Sequence, residues 1–131
     1  MKSLFALSLS AMALAACSNM PGASVEAGYP TGSLAVAAIE RSDWNTAERL
    51  LTEDRQIDRN NAARLINLGR VYAATGRTDE AIVIWQRALA APVHAEVQTA
   101  DGRTARTDRI AREAIALHGR GRSRIGSLTT R

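Results

Sequence analysis

Two helical patterns joined by a short turn constrain this chain more than any other feature of its sequence. They occupy Ala62 to Pro92, and the turn between them is Thr75-Gly76-Arg77. In each half, apolar residues recur at the spacing of one helix face. Gly69 and Ala81 are small where two helices would cross, and larger residues flank them, which predicts an antiparallel, interdigitated pair. The packing faces are Leu65, Leu68, Gly69 and Tyr72 in the first half, and Ala81, Ile84, Trp85, Ala88 and Leu89 in the second.

The order of these residues resembles the tetratricopeptide repeat, a helix–turn–helix unit of about 34 residues. Trp85 stands where that pattern has Phe, and Pro92 arrives one position early. The other matching positions are Leu65 at the place of a large residue, Leu68-Gly69, Tyr72, Ala81 and Ala88. The resemblance implies stacked helical hairpins that bind proteins. The alternative is an unrelated helical hairpin.

A degenerate second copy lies one period earlier, in the stretch SLAVAAIERSDWNTAERLL. Its leading helix is expected to be short, because Pro30 and Gly32 prevent an earlier start. The paired positions are Leu34 with Leu68, Ala35 with Gly69, Ala38 with Tyr72, Ser42 with Gly76, Ala47 with Ala81, and Leu51 with Trp85. Two units in register support a repeat better than one.

The predicted fold class is mainly α, with about two tetratricopeptide-like antiparallel hairpins in a folded body at 32–118. Its helices are expected at 32–41, 44–54, 61–75 and 78–91. Thr78 is the expected N-cap of the fourth helix, and Asn60 or Asn61 that of the third.

Two repeats are fewer than the three or so that a stable stack usually needs. Ile82 and Leu89 would present an apolar edge to the next unit. We expect a capping helix to cover that edge from Thr107 to His118, with Thr107 as its N-cap and Gly119 as its stop. Its apolar stripe is Ile110, Ala111, Ala114 and Ile115.

Between the repeat and this helix, the repeat register fails. Val93, Ala95, Val97 and Thr99 alternate with polar residues, and Asp101-Gly102 has turn chemistry. A small β-hairpin near 93–106 and a disordered loop are both compatible with this pattern.

The first residues, 1–16, carry Lys2 followed by an apolar run that is short for a bilayer span of ~20 residues, as in a secretory signal peptide. The run ends in Leu14-Ala15-Ala16-Cys17, which resembles the bacterial lipobox. The resemblance implies cleavage before Cys17, lipidation of its sulfur and, because Ser18 is not acidic, sorting to the outer membrane. Cys17 is the only cysteine, and lipidation explains an unpaired thiol in an exported protein. The alternative is ordinary cleavage that leaves a free thiol.

Two flanking segments lack apolar periodicity. Residues 17–31 are expected to form a flexible lipidated tether at the periplasmic face of the membrane. Residues 119–131 contain four arginines and no acid, so their charge equals the formal net charge of +4. This composition predicts a disordered basic tail. Such a tail could touch anionic lipids or an acidic partner, or could merely keep the protein soluble.

Catalytic and metal-binding motifs are missing from the sequence, including Cys-x-x-Cys, His-Glu-x-x-His and phosphate-binding glycine loops. We interpret His94 and His118 as incidental surface residues. The sequence therefore predicts no enzyme, no cofactor, no metal site and no nucleic-acid partner.

A protein-binding groove is predicted on the leading helix of the second repeat, where the family resemblance places it. There Asn67 would meet a partner's backbone and Arg70 a carboxylate, above an apolar floor. The groove residues are Ala63, Ile66, Asn67, Arg70, Ala73 and Ala74. The alternative is an ordinary solvated face. Gly32 and Ser33 hold equivalent places in the first repeat, so the groove would be shallow.

Three hypotheses follow from the sequence. The first is a non-enzymatic, outer-membrane lipoprotein that docks a peptide or helix of a protein partner, as an accessory of an envelope or pilus assembly machine. The second is a structural lipoprotein that bridges anionic surfaces through its arginine tail. The third is a self-association module that pairs its uncovered edge with another copy.

Overall fold

The chain is mainly helical, as predicted. The computed structural model describes residues 29–30, 32–99 and 102–126, with 121–126 described by their backbone alone. The elements of this part are α1 (Val36–Glu40), α2 (Trp44–Glu53), α3 (Ala62–Ala74), α4 (Thr78–Leu89), β1 (Glu96–Gln98), β2 (Thr104–Arg106) and α5 (Thr107–Gly126). The predicted signal peptide, the lipidation site Cys17 and most of the tether lie outside the described residues.

The turn between α1 and α2 repeats the turn between α3 and α4. Ser42 and Gly76, which the sequence pairs, both have positive φ, of 57° and 82°. The same three backbone hydrogen bonds close both turns. In the first turn, the N–H groups of Arg41, Ser42 and Asp43 donate to the carbonyls of Ala37, Ile39 and Ala38, respectively. In the second turn, one period later, those of Thr75, Gly76 and Arg77 donate to the carbonyls of Val71, Ala73 and Tyr72. The predicted second copy is therefore confirmed at the level of the backbone.

The leading helix of the first unit is shorter than predicted. We expected a helix at 32–41, but α1 covers only Val36–Glu40. Ala35 has a left-handed φ of 54°, and two turns precede it, closed by Ser33 N–H to Pro30 and Ala35 N–H to Gly32. A left-handed residue cannot continue a right-handed helix, so the chain becomes helical only after it.

The predicted contact of small and large residues between α3 and α4 is confirmed. The indole of Trp85 lies directly against Gly69, where an added Cβ would come within 2.6 Å of Trp85 Cδ1. Trp85 is buried, and its Nε1–H donates to the Ile66 carbonyl at 3.1 Å. Ala81 is fully buried in the same core cluster. Only a glycine leaves room for the indole here.

A buried arginine that the sequence analysis did not single out closes the connection between α2 and α3. Arg64 is 2% exposed, its Nε donates to the Leu51 carbonyl at 2.6 Å, and its Nη1 donates to the Ile57 carbonyl at 2.7 Å. Burial lowers the pKa of this guanidinium, because desolvation disfavours the charged form. At the start of α3, Asn61 is the N-cap, as predicted, and its side chain accepts from Arg64 N–H.

A β-hairpin, and not a disordered loop, precedes α5. β1 and β2 are antiparallel, with Val97 opposite Ala105, and Gly102 has the positive φ of a tight turn, at 79°. Val97 is buried, whereas Val93, which we placed in the alternation, is exposed and lies outside the strand. The hairpin is held because its buried side joins a small core cluster that consists of Leu34, Val36, Ile57, Ala63 and Val97.

α5 covers the edge of α4 as predicted, but its ends differ from the prediction. Ala111 is fully buried, and Ala114 and Ile115 pack on the main core, together with the edge residues of α4. Ile110 instead packs against the small cluster. The helix continues past Gly119 to Gly126, so the expected stop and the expected disorder from Gly119 onward are wrong up to that point. The remainder, 127–131, lies outside the described residues.

Two predicted N-caps are wrong by one position. Thr78 is the first residue of α4, and the cap is Arg77, whose side chain makes no capping hydrogen bond. Thr107 is likewise the first residue of α5, and it is fully buried, with its N–H bound to the Ala95 carbonyl at 3.0 Å. The hairpin therefore continues directly into α5.

Candidate interaction surface

The six residues of the predicted groove lie in three different environments. Ala63 is only 4% exposed and belongs to the small cluster with Leu34 and Val97. The segment that precedes α1 and the hairpin thus fill the space beside the first turn of α3. Ala63 is an interior residue, and not part of the floor of an open groove.

Asn67 already has a partner within the chain. Its Nδ2 donates to the Leu34 carbonyl at 2.9 Å, and Leu34 is fully buried. The resemblance assigns this amide to the backbone of a bound peptide, but here it binds the chain's own backbone. The bond gives a hydrogen-bond donor to the Leu34 carbonyl, which lies next to Ala35, the left-handed residue after which α1 begins.

The second half of α3 is more open. Ile66 and Ala73 are half-buried against the main core, whereas Arg70 and Ala74 are exposed. Within the described residues, the side chain of Arg70 makes no hydrogen bond or ion pair. The structure therefore brings Arg70, Ala73 and Ala74 together as the accessible part of the predicted groove.

A network centred on Arg77 lies beyond this open part, in the turn before α4. The guanidinium carbon lies 3.9 Å from the centroid of the Tyr72 ring. Nη1 contacts Glu48 of α2 at 2.8 Å, while Nε and Nη2 bind the two carboxylate oxygens of Glu80 at 2.8 and 2.7 Å. The hydrogen bonds to Glu80 and Glu48 raise the pKa of Arg77. This network joins α2, α3 and α4, and the sequence did not predict it.

Acidification should weaken the body through this network. The pKa of the Glu80 carboxyl lies below its usual 4.5, because Arg77 donates hydrogen bonds to the ionised form. A carboxyl whose pKa is lower in the folded than in the unfolded protein stabilises the fold at pH values above its unfolded pKa. This stabilisation is lost as the pH falls through the folded pKa. We expect urea midpoints that are flat from about pH 7 to pH 5 and fall below about pH 4.5. Glu80→Gln should make the fall shallower, and an unchanged slope in that variant would contradict this assignment.

Both histidines make contacts that the sequence did not predict. The His118 ring lies 5.1 Å from the ring of Trp85, at an interplanar angle of 38°. His94 Nδ1 lies 3.3 Å from the hydroxyl of the buried Thr107. They are half-buried packing residues, and not incidental surface ones. Among residues 29–30, 32–99 and 102–126, no three His, Cys, Asp or Glu side chains cluster as metal ligands would.

Antiparallel helix pairs that repeat with one period, covered by a further helix, define a helical-repeat protein. A family model described as "Tetratricopeptide repeat" matches residues 38–103, which is half of the chain, and the chain therefore belongs to the tetratricopeptide repeat family. Domains of this family commonly bind protein partners and are typically not enzymes. Comparison with curated proteins and with solved structures found no match. Within the part of the chain that the structure describes, no helix is both long and apolar enough to cross a bilayer.

Proposed function

We propose that this chain is a non-enzymatic lipoprotein of the outer membrane that uses its tetratricopeptide repeat body as an adaptor for a protein partner in the cell envelope. The observation that carries the adaptor role is the open half of α3, where an unpaired Arg70 stands beside Ala73 and Ala74. An arginine can bind a partner's carboxylate in a bidentate manner, and small neighbours leave room for a helix or an extended peptide.

The anchor rests on the sequence. The charged and apolar stretch, the lipobox and the single cysteine in one short chain support cleavage before Cys17 and lipidation of its sulfur. Eleven residues lie between Cys17 and Tyr29, which packs against the small cluster. At most ~40 Å of chain therefore joins the anchor to the body. We also propose that the protein is an accessory of an envelope or pilus assembly machine.

Removing the sulfur tests the anchor. Cys17→Ser should abolish labelling with a radioactive fatty acid and release the protein from the membrane fraction, because no thioether can form. Ser18→Asp is the matched control: labelling should persist, while the protein should move from the outer to the inner membrane. A Cys17→Ser protein that still carries fatty acid would contradict the proposal.

Site-specific photo-crosslinking tests the adaptor role. A photoreactive residue at Arg70 or Ala74 should yield a discrete crosslinked product in intact envelopes. The control position is Val83, which is 54% exposed on α4. Asn67 is unsuitable for this test, because its replacement would also break the bond to Leu34. Identical products from all three positions, or none from Arg70 and Ala74, would refute the adaptor surface.

A further inference from the structure

α5 occupies the place of the leading helix of a third repeat unit. It packs against α4 and α3, as α3 packs against α2. Its inward positions follow the same spacing as those of α3, displaced by one period plus the inserted hairpin. The corresponding pairs are Thr107 with Asn61, Ile110 with Arg64, Ala111 with Leu65, Ala114 with Leu68, Ile115 with Gly69, and His118 with Tyr72. The capping helix therefore packs as the leading helix of a further repeat would.

This correspondence extends the candidate surface onto α5. The positions of α5 that match the predicted groove of α3 are Arg109, Arg112, Glu113, Ala116, Gly119 and Arg120. All of them except Gly119 are exposed, and Gly119 is half-buried. Whereas the α3 positions are partly used inside the body, most of the α5 positions point to solvent.

The exposed face of α5 is predominantly basic. Arg109 binds Glu113 at 2.9 Å and Arg112 binds Asp108 at 3.0 Å, and both arginine side chains are 66% exposed. The side chain of Arg120 has no hydrogen bond or ion pair within the described residues. Among the side chains of α5 that the structure describes, three are arginines and two are acidic. The two carboxylates therefore leave a net positive charge.

An exposed leucine lies at the edge of this basic face. Leu117 is 72% exposed, and it is one helical turn from Glu113 and less than one turn from Arg120. An apolar side chain bordered by arginines complements a segment that combines carboxylates with apolar residues. Such a segment would bind by charge and by covering the leucine.

We infer that this basic face, defined as Arg109, Arg112, Leu117 and Arg120, docks an acidic, leucine-containing segment of the protein partner, an inference that rests on the proposed adaptor role. A lipid surface fits less well. Tyr29, which follows the tether, and Ile110, near the start of α5, pack against the same small cluster, and Arg120 lies ~15 Å further along that helix. Arg120, whose side chain has no partner, therefore lies further along α5 than the cluster at which the tether joins the body.

A labelled peptide of repeating Glu-Glu-Leu triplets, titrated onto the full chain in phosphatidylcholine nanodiscs, tests this inference by fluorescence anisotropy. Arg109→Gln, Arg112→Gln and Arg120→Gln together should raise Kd about tenfold, since each exposed charge pair contributes a factor of roughly two to five. The matched triple, Arg41→Gln, Arg49→Gln and Arg55→Gln, removes the same charge from exposed sites and should change Kd less than about twofold. Arg120→Gln alone breaks no ion pair of the body and provides a variant that should keep its fold.

Three results would overturn the inference: no peptide binding, equal weakening by both triples, or arginine-dependent capture of phosphatidylglycerol vesicles in place of the peptide. The crosslinking at Arg70 is independent of all three. A partner crosslinked there with no peptide binding on α5 would refute the acidic docking face alone, whereas failure of both experiments would refute the adaptor role as well.

Discussion

Replacing Gly69 by alanine should lower the free energy of unfolding by about 3 kcal/mol or more, the largest loss expected from an added methyl group at any glycine whose surroundings the structure describes. The new Cβ would lie 2.6 Å from Trp85 Cδ1, so either the indole or α3 must move. Moving the indole also breaks its bond to the Ile66 carbonyl and leaves a buried donor unsatisfied. The measurement is urea unfolding followed by the fluorescence of the two tryptophans.

Gly119→Ala is the matched control within α5. No heavy atom lies within 4 Å of a Cβ at that position, so the change should only improve helix propensity and stabilise by roughly 0.5–1 kcal/mol. In a Trp85→Leu background, Gly69→Ala should cost much less than it does alone, because the clash depends on the indole. Equal losses in both backgrounds would show that Gly69 matters for another reason.

Arg64→Ala should destabilise the body by about 3 kcal/mol, nearly as much as Gly69→Ala. The substitution removes the donors to the Leu51 and Ile57 carbonyls and empties the space filled by a side chain that is 2% exposed. The last turns of α2 and the connection that follows would each lose a hydrogen bond to Arg64. Urea unfolding measures the loss, and faster amide hydrogen exchange at 54–61 would locate it.

Arg70→Ala, on the same helix, is the control for the loss of an arginine, and its exposed side chain predicts a change within about 0.5 kcal/mol. Arg64→Lys should be intermediate, because one ammonium keeps the charge but cannot reproduce the fork of donors that reaches two carbonyls. If Arg64→Ala and Arg70→Ala lowered the free energy of unfolding by similarly small amounts, the buried arginine would have no structural role.

Sequence periodicity predicted most of the helical framework. The spacing of Leu65, Leu68 and Tyr72 is local, and it persists because the same side chains supply the core. The sequence also predicted that Ser42 and Gly76 occupy equivalent positions in the two turns, since they lie one period apart. The end of α5 could not be predicted from the sequence, because its last turns continue beyond the apolar stripe that marked the helix.

The predicted surface was only partly readable from the same patterns. Exposure of Arg70 and Ala74 follows from the helix wheel, because both lie opposite the packing face of α3. Burial of Ala63 does not, because it depends on a hairpin strand more than thirty residues away in the chain. The correspondence of α5 with a third repeat was concealed by the inserted hairpin, which displaced its register.

By itself, the sequence determined which segments become helices, where their turns fall and that small residues meet large ones where the helices cross, because these depend on neighbours within about one repeat. Tertiary structure alone decided which polar groups remain available to a partner. Asn67 binds the Leu34 carbonyl, and Arg64 binds the carbonyls of Leu51 in α2 and of Ile57 in the following loop, whereas Arg70 is left to solvent. The physical reason is that a buried carbonyl must be paired, and only the folded chain brings the donor to it.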